Sequence, residues 1–248
     1  MDEKLYISPN LFFQKNKLYY DEDKPIKINA KNWCKYLEEY GWTKLPLGWR
    51  KRLKTEDKNF RFGILDCGSE GDCLFHCVAE ALYDENNLDI EKYTVEELRK
   101  LTSSMVTKDN FVLILENYKC EEQSGIFNGY WEPSKIKDIE QLQKEINICG
   151  DNFWGDHLLL QLLQEKLKFN IIILNSGVSY DGSKKGFTIH PTASDINTYD
   201  KTIILYYEDG LHFQLVGYFQ KDRMIKKFTR DDIPNQLLEI YNKDTNNF

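Results

Sequence analysis

The order of the hydrophobic patterns constrains the fold most, because helical periodicity comes first along the chain and strand-like runs come later. Apolar residues recur at helical spacing through most of residues 73–167. Phe169–Leu174 is then a continuous run rich in β-branched residues, typical of a buried strand, and further strand-like runs cover 187–190, 201–207 and 211–219. This order predicts an α+β fold in which helices pack around a small central sheet.

Residues 1–59 precede this pattern and are predicted to form a helical extension docked on the main body. Large apolar and aromatic residues recur there at helical spacing: Trp33, Tyr36, Leu37 and Tyr40. A second short helix is expected after Pro46. We therefore divide the chain into an extension (1–59), a main domain (60–220) and a C-terminal tail or helix (221–248).

Charge and hydropathy exclude several classes of function. The net charge of −7 argues against nucleic acid as the principal ligand, because neutralising phosphates requires concentrated Lys and Arg. No apolar run approaches the ~18 residues of a membrane span, and the first residues lack the apolar core of a signal peptide. We expect an intracellular, cytosolic protein without nucleic acid or membrane partners. Its abundance of Asn, Lys and Ile is typical of an AT-rich genome, such as that of a virus or parasite acting in a host cell.

The six cysteines are expected to be free thiols, since a chain of this length in a reducing compartment does not need disulfides. Cys67 and Cys77 flank Cys73 without C-x-x-C spacing, and no matching set of Cys and His lies nearby. The sequence therefore predicts no metal site. It leaves open which cysteine has a chemical role.

Cys73 is the strongest candidate nucleophile, because it lies in the first turn of a predicted helix directly after a glycine-containing loop. The helix dipole and the unpaired N–H groups there favour a thiolate. Backbone N–H groups of Cys73 and of the loop residues Gly71 and Asp72 could also stabilise an oxyanion. A cysteine at a helix start is often only a small buried residue, so the assignment needs a partner base.

Four histidines could supply that base: His76, His157, His190 and His212. His212 begins a predicted strand just after the turn at 208–210, so a rigid element would fix it. The other three are most simply packing or surface residues. His212 is therefore the predicted general base.

A third residue must hold the imidazole in one orientation. Gln214 lies two residues after His212, on the same side of the predicted strand, and its amide oxygen could accept a hydrogen bond from Nδ1–H. It cannot stabilise an imidazolium as a carboxylate would, so Asp66, Glu70 and Asp209 remain alternatives. We rank Gln214 modestly ahead.

Three segments, in this order, resemble the ovarian-tumour (OTU) family of cysteine deubiquitinases. Glu70–His76 reads Glu-Gly-Asp-Cys-Leu-Phe-His, close to the nucleophile motif of that family. Trp154-Gly155 opens an apolar helix before a strand, and Gly210–Phe213 resembles the Gly-x-His-aromatic block. The resemblance extends over roughly residues 60–219.

The resemblance implies a variant of the papain-like fold and hydrolysis of the isopeptide bond after the C-terminal glycine of ubiquitin, without a metal or organic cofactor. Ubiquitin or polyubiquitin chains would be the partners, with Cys73 as nucleophile and His212 as base. Glu70 replaces the usual Asp of the loop that shapes the oxyanion hole, and Gln214 replaces an Asp or Asn. Trp154 would form a wall of the active site near His212.

Three alternatives stay open at this point. The departures at Glu70 and Gln214 would fit a catalytically weak member that only binds ubiquitin. The same scaffold could act on another ubiquitin-like modifier or on a small thioester. Cys73 could also be a buried core residue of a structural protein.

Overall fold

A computed structural model describes seven segments of the chain. These segments are 4–21, 23–54, 61–83, 92–176, 186–190, 195–208 and 211–245. Within them the chain forms two β-sheets, the larger of which has helices packed on it. The smaller sheet is antiparallel, with its strands in chain order: β1 (Leu5–Ser8), β2 (Leu11–Gln14), β3 (Lys17–Tyr20) and β4 (Ile26–Lys27).

The predicted helical extension is confirmed only in part. Its helices are α1 (Trp33–Leu37), which a 3-10 turn extends to Tyr40, and α2 (Leu47–Arg52). Residues 5–27 form the small sheet instead, which the sequence analysis did not predict. The extension also contributes a strand, β5 (Trp42–Lys44), to the edge of the main sheet.

The main sheet has its strands in the order β5-β6-β10-β9-β7-β8. Its remaining strands are β6 (Phe62–Leu65), β7 (Asn170–Asn175), β8 (Ile189–His190), β9 (Thr202–Glu208) and β10 (His212–Gln220). Strands β7 and β9 run parallel, while the other neighbours along this order are antiparallel. The strands predicted in the second half of the chain are confirmed. The turn predicted at Asp209 and Gly210 lies outside the described residues.

The helices between β6 and β7 follow the predicted pattern. They are α3 (Cys73–Leu82), α4 (Val95–Ser104), α5 (Phe111–Gln123), α6 (Ile139–Asn147) and α7 (His157–Leu167). A capping box opens α4, with Thr94 and Glu97 each accepting a backbone hydrogen bond from the other residue. Side chains of Asp138 and Asp156 cap α6 and α7 in a similar way.

The main sheet separates two hydrophobic cores, because alternate residues of a strand point to opposite faces. Phe213 and Leu215 of β10 face the first core, which contains α3 and α7. Val216 faces the second core, where the small N-terminal sheet packs through residues such as Leu18. The catalytic helix predicted from the sequence therefore lies on one face and the N-terminal extension on the other.

The sheet crosses both predicted domain boundaries. Strand β5 precedes residue 60, and β11 (Arg223–Ile225) and β12 (Lys227–Phe228) follow residue 220, yet all three pair with strands of the main sheet. A last helix, α8 (Asn235–Thr245), is held by an ion pair between Arg52 and Asp244. The division at 59 and 220 stays a prediction. Among the described residues, no helix has the length and apolar character needed to cross a bilayer.

Candidate active site

The backbone of Phe213, in β10, brings the two predicted catalytic residues together. Strand β6 ends at Leu65, so the backbone of Phe213 is left facing helix α3 rather than a neighbouring strand. Its N–H donates to Cys73 Sγ at 3.5 Å, and its C=O accepts from Cys77 Sγ, also at 3.5 Å. The residue directly before it, His212, is thereby fixed beside the sulfur of Cys73.

The imidazole of His212 is held between Cys73 and Asp66. Its Nε2 lies 3.2 Å from Asp66 Oδ1, which leaves Nδ1 as the nitrogen available to the sulfur. A hydrogen bond to Cys73, followed by the charges of Cys73 and Asp66, raises the pKa of His212 to about 9, although partial burial opposes this. A protonated imidazole next to the sulfur stabilises a thiolate.

Cys77 does not compete with Cys73 as a nucleophile. It is fully buried one helical turn further along α3, and burial raises the pKa of its thiol well above the ordinary value. It therefore stays protonated and serves to hold the Phe213 carbonyl. All six cysteines lie in the described part of the chain, and none of them forms a disulfide there.

The predicted role of Gln214 as the residue that orients His212 is not seen. Its Oε1 is buried and has no hydrogen-bond partner among the described residues. Asp66, one of the alternatives, is the residue that contacts the imidazole of His212. Strand β6 ends just before Asp66, which leaves its side chain free to reach His212. Asp209, another alternative, lies outside the described residues.

Glu70 shapes the loop before Cys73 rather than contacting the histidine. It is exposed, and within the described residues it makes no hydrogen bond to His212. Glu70 and Gly71 both have positive φ, 59° and 81°, in a turn closed by the hydrogen bond from Asp72 N–H to Ser69 O. Such a turn requires two left-handed residues. A Cβ on Gly71 would lie only 2.4 Å from Gly150 O, so glycine is needed there.

Arg99 anchors this loop, and the sequence analysis missed it. Its guanidinium is completely buried, and its Nε donates to Asp72 Oδ1 at 2.6 Å. It also donates to the carbonyls of Ile146 (3.0 Å) and Phe153 (2.8 Å). The second oxygen of Asp72 accepts from the N–H of Gly150 at 2.6 Å. One buried ion pair thus joins the nucleophile loop to the segment 146–155.

Because Asp72 takes part in this ion pair, the first backbone N–H groups of α3 have no capping side chain. Asp72 is the N-cap residue of α3, yet its carboxylate makes no capping hydrogen bond because it points to Arg99 and Gly150. The first N–H groups of a helix have no partner within the helix. The N–H groups of Cys73 and Leu74 can therefore stabilise a developing oxyanion. The N–H of Asp72, which was also predicted to contribute, instead donates to Ser69 O.

Trp154 lies next to this loop. The N–H of the following residue, Gly155, donates to Gly71 O at 3.1 Å, and Trp154 itself is half-buried. The ring of His157 packs on Phe213, with centroids 5.9 Å apart. That Trp154 forms a wall of the active site stays a prediction.

The remaining histidines are not bases for Cys73. The rings of His157 and His190 are in tilted contact, with centroids 4.4 Å apart, and burial lowers the pKa of His157 to about 4. His76 lines a cleft beside Cys67. Within the described segments, no cluster of three or more His, Cys, Asp or Glu side chains could hold a metal ion.

The region that contains Cys73 and His212 matches a known protein family. The profile of a family described as OTU-like cysteine protease matches residues 68–213, more than half of the 248 residues. The chain belongs to this family. The match includes Cys73 and His212, and membership of this family confirms the predicted OTU-type α+β fold. No curated protein sequence shows significant similarity to the chain.

Solved structures of OTU domains are similar at low identity. The OTU domain of OTUD1 is 17% identical, with a TM-score of 0.41, over 70% of this chain and 93% of that one. An OTU deubiquitinase from Wolbachia pipientis wMel is 18% identical, with a TM-score of 0.39, over 72% and 96%. The Hazara virus OTU bound to ubiquitin is 13% identical, with a TM-score of 0.38, over 64% and 83%.

The contact between Cys73 and His212 predicts how His212 titrates in this OTU-like protease. Replacing Cys73 with alanine removes the largest cause of the raised pKa, so the pKa of His212 should fall from about 9 towards its ordinary 6.5. Folded His212 binds its proton more tightly than unfolded His212, so its stabilising contribution is complete below pH 6.5 and is lost as the pH rises to about 9. Histidine NMR titrations of both proteins check this. An unchanged pKa in Cys73→Ala would contradict the pairing.

Proposed function

We propose that this OTU-like cysteine protease is a deubiquitinase, which hydrolyses the isopeptide or peptide bond after the C-terminal glycine of ubiquitin. The observation that carries the proposal is that Cys73 and His212, both inside the matched family region, lie together, with Asp66 bound to the imidazole. Relatives support the choice of substrate, since the Hazara virus OTU is bound to ubiquitin. The proposed partners are ubiquitin and polyubiquitin chains.

The first half of the reaction forms a thioester. The thiolate of Cys73 attacks the carbonyl carbon of the last ubiquitin glycine, and the negative charge moves to the carbonyl oxygen. The N–H groups at the start of α3 stabilise that oxyanion. As the tetrahedral intermediate collapses, the imidazolium of His212 donates its proton to the lysine nitrogen, which leaves as an amine.

The second half releases ubiquitin. The imidazole of His212, now neutral, takes a proton from a water molecule that attacks the thioester carbonyl. The C–S bond breaks, ubiquitin leaves with a free carboxylate, and the Cys73–His212 ion pair is restored. Asp66 keeps the imidazole oriented through both proton transfers.

The test is time-resolved cleavage of a panel of di-ubiquitins by the wild type, Cys73→Ala and His212→Ala. We expect the wild type to cleave at least one linkage and both variants to lose activity by several orders of magnitude, because each removes a reacting group. Cys120→Ala is a matched control, since this cysteine is exposed on α5. A wild type that binds ubiquitin but cleaves none of the panel would support the alternative of a binding module.

A further inference from the structure

Strand β5 forms one edge of the main sheet, and within the described segments it pairs only with β6. It takes no part in the chemistry at Cys73. The edge of a sheet presents backbone N–H and C=O groups to which a further strand can bind. Strand β5 precedes the family match at 68–213, so this edge lies in the part of the chain outside the matched region.

The register of the sheet shows which backbone groups of β5 face outwards. The N–H of Phe219 donates to Arg61 O at 2.8 Å. Because hydrogen-bonded pairs alternate along antiparallel strands, the odd-numbered residues of β6 bond to β10 and the even-numbered ones to β5. Thr43 pairs with an even-numbered residue of β6, so its N–H and C=O point to β6. The N–H and C=O groups of Trp42 and Lys44 therefore point outwards, and no hydrogen bond within the described segments satisfies them.

A groove of about 550 Å³ lies along this edge. Strand β5 lines it together with α1 and the turns at the two ends of α1, which contribute Lys31, Lys35 and Glu38. These three residues are exposed, as are Thr43 and Lys44 of β5. A chain extended along β5 would therefore lie within reach of both the outward backbone groups and the side chains of α1.

The groove is positively charged, although the chain as a whole has a net charge of −7. Lys31, Lys35 and Lys44 line it against a single carboxylate, that of Glu38. Within the described part of the chain none of these lysines forms an ion pair, and Lys35 lies over the ring of Tyr36, 5.2 Å from its centroid. Lysines at a sheet edge oppose pairing with a second copy of the same edge. The charge instead favours an acidic strand from another polypeptide.

We propose that the edge of β5 is a docking surface for an extended acidic segment of a partner polypeptide. The segment adds a strand to the main sheet by hydrogen bonding to the outward backbone groups of Trp42 and Lys44. Every second side chain of a strand points to the same face, at a spacing of about 6.6 Å. Lys31 and Lys35 lie one turn apart, and side chains at that separation begin about 6 Å from each other. Acidic residues at alternate positions of the segment therefore match these two lysines.

Fluorescence anisotropy with three labelled octapeptides tests the docking surface. The probe repeats Glu-Val four times, and its two comparison peptides repeat Lys-Val and Glu-Pro. The Lys-Val peptide reverses the charge, whereas the Glu-Pro peptide keeps the charge but lacks half of the backbone N–H groups and cannot extend a sheet. We expect the wild type to bind the Glu-Val peptide at least tenfold more tightly than either comparison peptide.

Variants of the protein separate the backbone from the charge. Lys44→Pro should weaken binding of the Glu-Val peptide about tenfold more than Lys44→Gln, because proline also removes the outward N–H. That N–H does not bond to β6, so proline is compatible with the edge strand. Should circular dichroism show Lys44→Pro to be unfolded, the Glu-Pro peptide tests the same hydrogen bonds in the wild type.

The double variant Lys31→Glu, Lys35→Glu should weaken binding about tenfold, because it replaces attraction by repulsion. Lys108→Glu is the matched control, since Lys108 is exposed and lies outside the groove. Its Kd should equal that of the wild type. Since the readout is peptide binding, the result does not depend on the proposed deubiquitinase activity.

Several results would overturn the docking surface. Absence of binding to the Glu-Val peptide would refute it outright, and equal binding of the Glu-Pro peptide would reduce the groove to a non-specific basic patch. An equal effect of Lys108→Glu and of the double variant would place the peptide elsewhere. Dimerisation of the wild type that Lys44→Pro abolishes would assign the edge to a second copy of the chain instead.

Discussion

Replacing Arg99 with lysine is expected to leave a folded protein that has lost most of its activity, and replacing it with methionine to destabilise the fold severely. The guanidinium holds Asp72 and two backbone carbonyls at once, which an ammonium cannot do. Methionine would leave the Asp72 carboxylate buried without its partner, a change that costs about 3–5 kcal/mol of unfolding free energy.

Lysine keeps the charge but frees the loop before Cys73 to move, and a small displacement of the oxyanion donors lowers kcat by about 100-fold. Urea unfolding measures the loss of stability, and kcat per titrated active site measures the chemistry. Arg52→Lys is the control, because it alters the ion pair with Asp244, which holds α8 and lies outside the catalytic loop. A kcat of Arg99→Lys equal to that of the wild type would contradict the positioning role.

Asp66→Asn is expected to lower kcat by about 10- to 100-fold with little change in KM, because the carboxylate orients His212 and stabilises its protonated form. The pKa of His212 should fall in this variant, so activity should be lost at a lower pH as the imidazole gives up its proton. A pH profile of kcat/KM for the wild type and the variant measures both effects.

Gln214→Leu is the matched comparison for that experiment. The buried Oε1 of Gln214 has no partner among the described residues, so an apolar side chain of similar shape should preserve activity and should not lower stability. If Gln214→Leu lost activity while Asp66→Asn retained it, the roles assigned here to Asp66 and Gln214 would be reversed.

The sequence predicted those helices and strands whose hydrophobic pattern lies within a short stretch of the chain. The apolar stripe of α3 and the apolar run of β7 each lie within about ten residues, and each element forms close to where it was predicted. Cys73 and His212 could be chosen because a helix start and a strand start are also local features. The prediction that Cys73 and His212 meet in the fold was supported by the order along the chain of the three segments that resemble the OTU family.

The remaining features depend on contacts between distant parts of the chain. Asp66 contacts His212, which lies 146 residues further along the chain. Nothing in the neighbouring sequence distinguishes Asp66 from an ordinary surface carboxylate, and 58% of its side chain is indeed exposed. Gln214 is closer in sequence, but proximity along a strand does not guarantee a hydrogen bond. The strands of the N-terminal sheet have only two to four residues each, too short for a clear periodic signal.

Arg99 did leave a signal in the sequence. It lies on α4 among residues at helical spacing that are all buried, Leu98, Thr102 and Ser103. An arginine on the buried face of an amphipathic helix requires a carboxylate partner. Asp72, next to the candidate nucleophile, could have been proposed as that partner.

Covalent capture by ubiquitin with an electrophilic C-terminus tests the central claim most directly. The probe places a reactive group where the scissile carbonyl would lie, so labelling requires both recognition of ubiquitin and a reactive thiolate. We predict a single adduct, mapped by mass spectrometry to Cys73, that is formed slowly by His212→Ala and not formed by Cys73→Ala. A folded wild type that forms no adduct, or forms it at another cysteine, would contradict the assignment of Cys73 as the nucleophile of a deubiquitinase.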